Sequence, residues 1–271
     1  MNRLKEAIKR ATPEPVWAAL KRTRFRYEMS RFQPYQARHI YCGFPLEVSI
    51  TESLAQGWYD HDWPNLAELD LLQTRKLRAG ARVFDLGAHQ CVVALMLSRI
   101  VGPEGRVLAV EAFRHHVEVG NRNRELNAAP NLEILHGAVA AKSGQIAFSW
   151  DSHVDNPAQK SAKDIVNAYS IDDLAARYGV PDVLFIDVEG YECEALRGAR
   201  ETLRHKPDCF VEVHAGVGLE NFGGSVKDVL SYFPVDQFDL FGSVPGGTQY
   251  TSLTPESEYL GRHFYMVALA K

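Results

Sequence analysis

From Ala81 to the C-terminus, short apolar runs alternate with longer amphipathic stretches. The runs "ARVFDLG", "GRVLAVEA", "LEILHGAVA", "QIAFSW", "DVLFIDVEG", "DCFVEVHA", "QFDLFG" and "HFYMVALA" are rich in β-branched and aromatic residues and predict strands. Helical spacing between them predicts helices near 91–101, 114–127, 172–178, 192–204 and 225–232. Ser170, with Asp173 three residues on, has the form of a capping box. Upstream, Ile40–Ile50 has strand character and Leu66–Leu77 looks helical. Strands alternating with helices imply a doubly wound, mostly parallel α/β sheet with right-handed crossovers. The last strand has no helix after it and is expected to run antiparallel at an edge.

This patterning divides the chain into a leader (1–39, broken by Pro13 and Pro15), a strand/helix extension covering the pocket (40–79) and a ligand-binding domain (80–271). The 271 residues allow one sizeable core. No stretch of about 18 apolar residues suggests a membrane span, and "MNRLKEAIKRATPEP" lacks the apolar region of a signal peptide. Cys42, Cys91, Cys193 and Cys209 have no metal-ligand spacing, so reduced thiols in a cytoplasmic protein are expected. Residues 1–40 carry ten Lys/Arg against three Glu, which leaves the main body acidic. Residues 1–31 would suit peripheral membrane contact or a frayed solvated leader. The acidic body argues against a nucleic-acid partner.

The stretch "RVFDLGAHQCVVALMLSR" reads as strand, tight turn and helix, the usual cofactor end of an α/β sheet. Glu111, closing the next strand, stands where an acid hydrogen-bonds ribose hydroxyls. The turn has one glycine, Gly87, and Asp85 occupies the place of a diphosphate, so a ribose-bearing ligand without pyrophosphate is indicated. S-adenosylmethionine fits, because Asp85, Glu111 and Asp187 would favour its positive sulfonium. Gly87 lets the backbone approach the ligand, and the helix starting near Gln90 offers amides to its carboxylate. The missing G-x-G-x-x-G disfavours an NAD-dependent oxidoreductase.

Asp187 and Glu189 share one face of their strand end, and Glu212 and His214 share a face of the next. His214 is the first candidate for a general base and Glu189 the second. A divalent cation among Asp187, Glu189, Glu212 and His214 is possible but not favoured, since the spacing matches no metal motif. Glu192 and Glu194 fall in the first turn of a helix, where acids complement the dipole. His115, His116 and His205 are expected at the surface, and Cys91 packs as a small apolar residue. "GWYDHDWP" (57–64) would stack on a sugar or cover the cofactor, and the loop 242–255 would serve as a lid or a plain connection.

The stretches "VFDLGAHQCVVAL", "VLAVEA", "ELNAAPNLEILHGAVAAKSG", "SIDDL", "DVLFIDVEGYECEALRGA" and "FVEVH", in order over residues 80–215, resemble the FkbM family of S-adenosylmethionine-dependent methyltransferases. The resemblance implies a class I methyltransferase fold, Rossmann-like, with an antiparallel edge strand and here an N-terminal extension. It also implies methyl transfer to a hydroxyl of a sugar, polysaccharide or secondary metabolite, so the partner would be a small-molecule or glycan acceptor. Asp85, Gly87, Ala88 and Glu111, with neighbours His89 and Ala112, would bind the cofactor, and Gly137 and Ala138 would border its adenine. Two positions depart from the family pattern: Cys91 replaces a usual glycine, and Phe185 stands where a lysine often precedes "IDVEG". The first departure leaves a catalytically silent cofactor-binding or scaffold protein as the alternative.

Overall fold

The computed structural model describes residues 16, 23, 27, 30–148 and 164–271. The leader and its membrane-contact expectation therefore fall largely outside the described residues. The chain enters through an antiparallel hairpin, β1 (Tyr35–Tyr41) and β2 (Phe44–Ile50), followed by α1 (Ser53–Tyr59) and α2 (Ala67–Gln73). Next come β3 (Arg82–Leu86), α3 (Val92–Val101), β4 (Arg106–Glu111), α4 (Arg114–Leu126) and β5 (Leu132–His136). A small sheet of β6 (Ala138–Val139), β7 (Gly144–Phe148) and β8 (Asp164–Tyr169) follows. The chain continues with α5 (Ile171–Tyr178), β9 (Val183–Ile186), α6 (Glu192–Arg197), α7 (Arg200–Arg204) and β10 (Asp208–Val213). It ends with α8 (Val226–Ser231), β11 (Phe238–Ser243), β12 (Thr251–Ser252) and β13 (Phe264–Ala270).

The main sheet has the order β12-β11-β13-β10-β9-β3-β4-β5. Strands β5, β4, β3, β9 and β10 are parallel. Their near-continuous apolar runs follow from burial on both faces. Alternation assigns Val83 and Phe185 to one core layer, with Leu95 of α3 and Leu46, Val48 and Ile50 of the hairpin. Phe84, Leu184 and Ile186 belong to the other, with Ala195 and Leu196 of α6. The chain leaves β3 toward β4 on one side and returns to β9 on the other, so the strand order reverses between β3 and β9. This is a doubly wound, mostly parallel, Rossmann-like α/β architecture.

Several expectations are corrected in detail. The single strand expected over Ile40–Ile50 is a hairpin, folded at Cys42 (φ +50°) and Gly43 (φ +84°). Two positive φ values in a two-residue loop match the twist of the flanking strands. Strand β1 therefore crosses the expected division at residue 40. The hairpin is tied to α4: Asn123 Oδ1 accepts from Ser49 N–H (2.7 Å), and the Asn127 side chain bonds both the N–H and the C=O of Glu47. "QIAFSW" contributes β7 to the small sheet rather than to the main one. The last strand runs antiparallel, yet it lies between β10 and β11; the two-residue β12 is the antiparallel edge. The helix expected over 192–204 breaks at Gly198, where a Cβ would sit 2.4 Å from the Ala140 carbonyl oxygen. Ser170 caps α5 as expected, accepting from Asp173 N–H at 3.1 Å.

Candidate active site

A cavity of ≈ 900 Å³ opens at the carboxyl ends of the parallel strands where the order reverses, the place where such sheets bind ligands. The residues expected from sequence to bind the cofactor or act on the acceptor line it: Asp85, Gly87, Ala88, His89, Glu111, Ala112, Gly137, Ala138, Asp187, Glu189 and His214. Gly57, Trp58, Tyr59, His61, Trp63 and Pro64 of the aromatic stretch reach it, as do Gly246, Gly247 and Thr248 of the long loop.

On the β3/β4 side, Asp85 is buried and its Oδ2 has no hydrogen-bond partner. Burial, reinforced by the Glu111 carboxylate, pushes its pKa up to about 7. Gly87 has φ +92°, and a Cβ there would lie 1.6 Å from the Asp187 carbonyl oxygen. Only glycine lets this turn pass beside the end of β9. Glu111 Oε2 accepts from His89 N–H (2.9 Å) and Oε1 from Phe113 N–H (2.6 Å). These bonds aim the carboxylate and leave each oxygen a lone pair for a further donor. Gly137 N–H donates to the Glu111 carbonyl at 2.9 Å, holding 137–139 beside the same acid.

The amides of Gly87 and Ala88 both donate to Val110 O, and Cys91 N–H donates to Ala88 O. The first backbone bond of α3 is Leu95 N–H to Cys91 O. Thus the helix start lies later than expected, and Val92–Ala94 supply the first-turn amides.

His89 donates its backbone amide to Glu111, and its ring packs among Trp58, Tyr59 and His116. Nδ1 lies 2.9 Å from the Tyr59 hydroxyl, and the ring centroid is 3.8 Å from that of His116. Burial, with His116 alongside, holds its pKa well below the ordinary imidazole range. His116, expected at the surface, is buried. Its Nε2 is 3.1 Å from Glu52 Oε1 and its Nδ1 is 3.8 Å from Glu111 Oε1. Burial opposes its charging, but Glu111 and Glu52 prevail and raise its pKa to about 8. His116 lines the cavity with Glu52 behind it, and sequence reasoning missed both. His115 is half-buried against Thr51, and His205 is exposed as expected.

Across the cavity, His214 is buried at the end of β10. Its Nδ1 lies 2.7 Å from Glu192 Oε1. Its Nε2 lies 3.3 Å from Glu189 Oε2, 3.6 Å from Glu212 Oε1 and 3.9 Å from Asp187 Oδ1. Burial works against a charged imidazole, yet Glu192, Glu189 and Glu212 raise its pKa. Burial and the carboxylates of Glu212 and Glu189 push Asp187 well above the usual carboxylate range. His263 stacks on His214 with centroids 4.7 Å apart and bonds Glu212 at 2.7 Å. Glu192 is therefore no surface dipole acid: it is fully buried and also accepts from Gly190 N–H at 2.8 Å. Glu194 does face outward, toward Arg197. Donor atoms of Asp187, Glu189 and His214 come close enough together for a divalent cation, as do those of Glu212, His214 and His263.

The model of the methyltransferase FkbM domain matches residues 85–239, over half of the chain. The chain belongs to this family. A second model, of protein-L-isoaspartate(D-aspartate) O-methyltransferase, matches residues 16–144. The hexuronic acid methyltransferase AglP of Haloferax volcanii is 28% identical over 140 residues, which cover 49% of this chain and 54% of that protein. The chain thus spans about half the length of this curated relative. Among solved structures, methyltransferase FkbM from Methylobacillus flagellatus aligns with 18% identity and a TM-score of 0.47, covering 69% of this chain and 43% of that one. Aeropyrum pernix fibrillarin in complex with S-adenosyl-L-methionine aligns with 14% identity and a TM-score of 0.44, covering 87% and 98%.

S-adenosylmethionine is the cofactor that accompanies an FkbM domain, and the residues present fit it. Unpartnered buried oxygens of Asp85 and Asp187 face the cavity, and Gly87 keeps the intervening turn bare. The departure at Cys91 is also accommodated. Cys91 adopts φ +63°, a left-handed conformation in which glycine is at ease. Its thiol fills the space over Gly120 of α4, where a Cβ would come within 2.6 Å of Cys91 Sγ. One glycine of the family pattern is thus replaced, and another residue without a side chain makes the room.

Proposed function

We propose that this chain is an S-adenosylmethionine-dependent O-methyltransferase acting on a hydroxyl of a sugar or related small molecule, with His214 as general base. The single observation that carries the reading is the 2.7 Å contact of His214 Nδ1 with buried Glu192, which leaves Nε2 toward the cavity. A carboxylate only accepts, so Nδ1 carries the hydrogen and the neutral ring presents a basic Nε2 to an acceptor hydroxyl. When bound, S-adenosylmethionine supplies an electrophilic methyl group on a positive sulfur.

Glu111 would hold the ribose, Asp85 and Asp187 would face the positive charge, and Gly137 and Ala138 would border the adenine. His214 takes the hydroxyl proton on Nε2 as the oxygen gains its methyl group, and Glu192 steadies the imidazolium. Glu189, at 3.3 Å, orients the acceptor or the ring. Holding the acceptor oxygen in line supplies most of the rate, on the order of 7–11 kcal/mol. Trp58 and Tyr59 of the aromatic stretch, packed on His89 beside Glu111, would cover the cofactor side, and Gly246, Gly247 and Thr248 of the long loop would border the acceptor. The test is release of S-adenosylhomocysteine from S-adenosylmethionine in the presence of a panel of glycosides. Turnover by the wild type, lost in His214→Ala with cofactor binding retained, supports the reading. Turnover unchanged in His214→Ala removes the base.

A further inference from the structure

Six carboxylates line the cavity, those of Glu68, Asp85, Glu111, Asp187, Glu189 and Glu212, and no Lys or Arg lines it among the described residues. The cofactor brings one net positive charge, carried at its sulfonium, which answers the acids around β3 and β4. Glu189, Glu212 and Glu68 lie toward the other end and have no such partner among cofactor atoms. Between the two groups stands an aromatic floor. Phe185 lies in register with Asp85 on one side and Phe210 on the other. The rings of Phe185 and Phe210 stack at 4.1 Å and 21°, and Tyr265 follows Phe210 at 5.6 Å. Apolar rings of this kind suit the C–H face of a sugar, and carboxylates accept hydrogen bonds from its hydroxyls.

We propose that the acceptor is a sugar ring with no anionic group, neutral or ammonium-bearing, and that the acids around the Phe185–Phe210 floor exclude hexuronates and phosphorylated sugars. The inference deepens the methyl-transfer reading by naming the acceptor class, and it sets this chain apart from a relative named for a hexuronic acid. An added carboxylate would meet like charges in a partly water-excluded space, where repulsion is stronger than in bulk water.

The experiment titrates the purified full chain with the methyl glycosides of glucose, glucosamine and glucuronic acid, each with and without S-adenosylhomocysteine, by ligand-observed NMR at low salt. The expected result is binding of the glucose and glucosamine glycosides at least ~10-fold tighter than the glucuronide, a gap that narrows at high salt as charges are screened. Glu212→Gln should narrow the gap at low salt. Phe185→Lys should shift it further toward the glucuronide, and Glu212→Gln serves alone if the buried lysine prevents folding. Glucuronide binding that equals or exceeds the others overturns the proposal. So does glucuronide binding that appears only with added Mg²⁺, and so does failure of all three sugars to bind. A preserved charge order without any response to S-adenosylhomocysteine would instead strike the methyl-transfer reading alone.

Discussion

Glu192 Oε1 and His214 Nδ1 lie 2.7 Å apart, with both side chains buried beneath the carboxyl ends of β9 and β10. The pair has a consequence for pH. The carboxylates facing His214 are Glu192 from α6, Asp187 and Glu189 after β9, and Glu212 from β10; His263 stacks from before β13. Together the acids raise its pKa above 6.5. A base must be deprotonated, so kcat/KM should rise with pH through an apparent pKa above that ordinary value. The protonated imidazole also stabilises the fold at low pH, and this contribution is lost as pH rises through the raised pKa. Glu192→Gln should move the activity limb to lower pH and lower the plateau. His214→Ala should cost on the order of 10²–10⁴ in kcat. A pH–rate profile of Glu192→Gln that superimposes on the wild type would contradict the pairing.

Asp85 should make cofactor binding pH-dependent. Its pKa is raised to about 7 by burial and by Glu111, so near neutrality it is partly protonated. A positive ligand favours the ionised form, and binding should tighten as pH rises through that value and release a proton. Without ligand the sign is opposite for stability: the raised folded pKa stabilises the fold at low pH, and that share is lost as pH climbs from the carboxylate range to about 7. Calorimetry in buffers of different ionisation heat measures the proton. Asp85→Asn should sharply reduce both the release and the pH dependence of S-adenosylmethionine affinity.

Cys91 and Gly120 should behave as a coupled pair. Gly120→Ala places a Cβ within 2.6 Å of Cys91 Sγ, an overpacking that costs about 1–3 kcal/mol. Cys91→Gly removes the thiol and relieves the left-handed backbone, so the double variant should recover most of the loss. Urea denaturation of the two single variants and the double variant checks this, and simple additivity would refute the contact.

The β3/β4 side of the cavity was legible because it is local. Asp85, Gly87 and Glu111 lie at strand ends that apolar runs announce, and the strand–turn–helix order fixes where those ends meet. The β9/β10 side depends on long-range pairing. Glu192 looks like a dipole acid when read by its position in the helix, but it shares the i, i+3, i+4 face with Ala195 and Leu196 and so points into the core. That spacing was the available signal. His116 was missed because α4 is polar on most sides, and the contact that buries it comes from Glu52, after a hairpin whose Cys42-Gly43 turn lacks the usual Asn-Gly or Asp-Gly mark. The place of β13 between β10 and β11 follows from sheet topology and leaves no trace in its own residues.

The central claim is that this cavity holds a positively charged nucleoside whose ribose is gripped by Glu111. Its most direct test is the affinity of S-adenosylmethionine for the wild type and for Glu111→Gln, measured by calorimetry. A hydrogen bond to a charged group contributes about 1.5–3 kcal/mol, so the variant should bind roughly 10–100-fold more weakly while NAD gives no heat with either protein. Equal affinity in the two proteins, or a wild type that binds NAD and ignores S-adenosylmethionine, would contradict it.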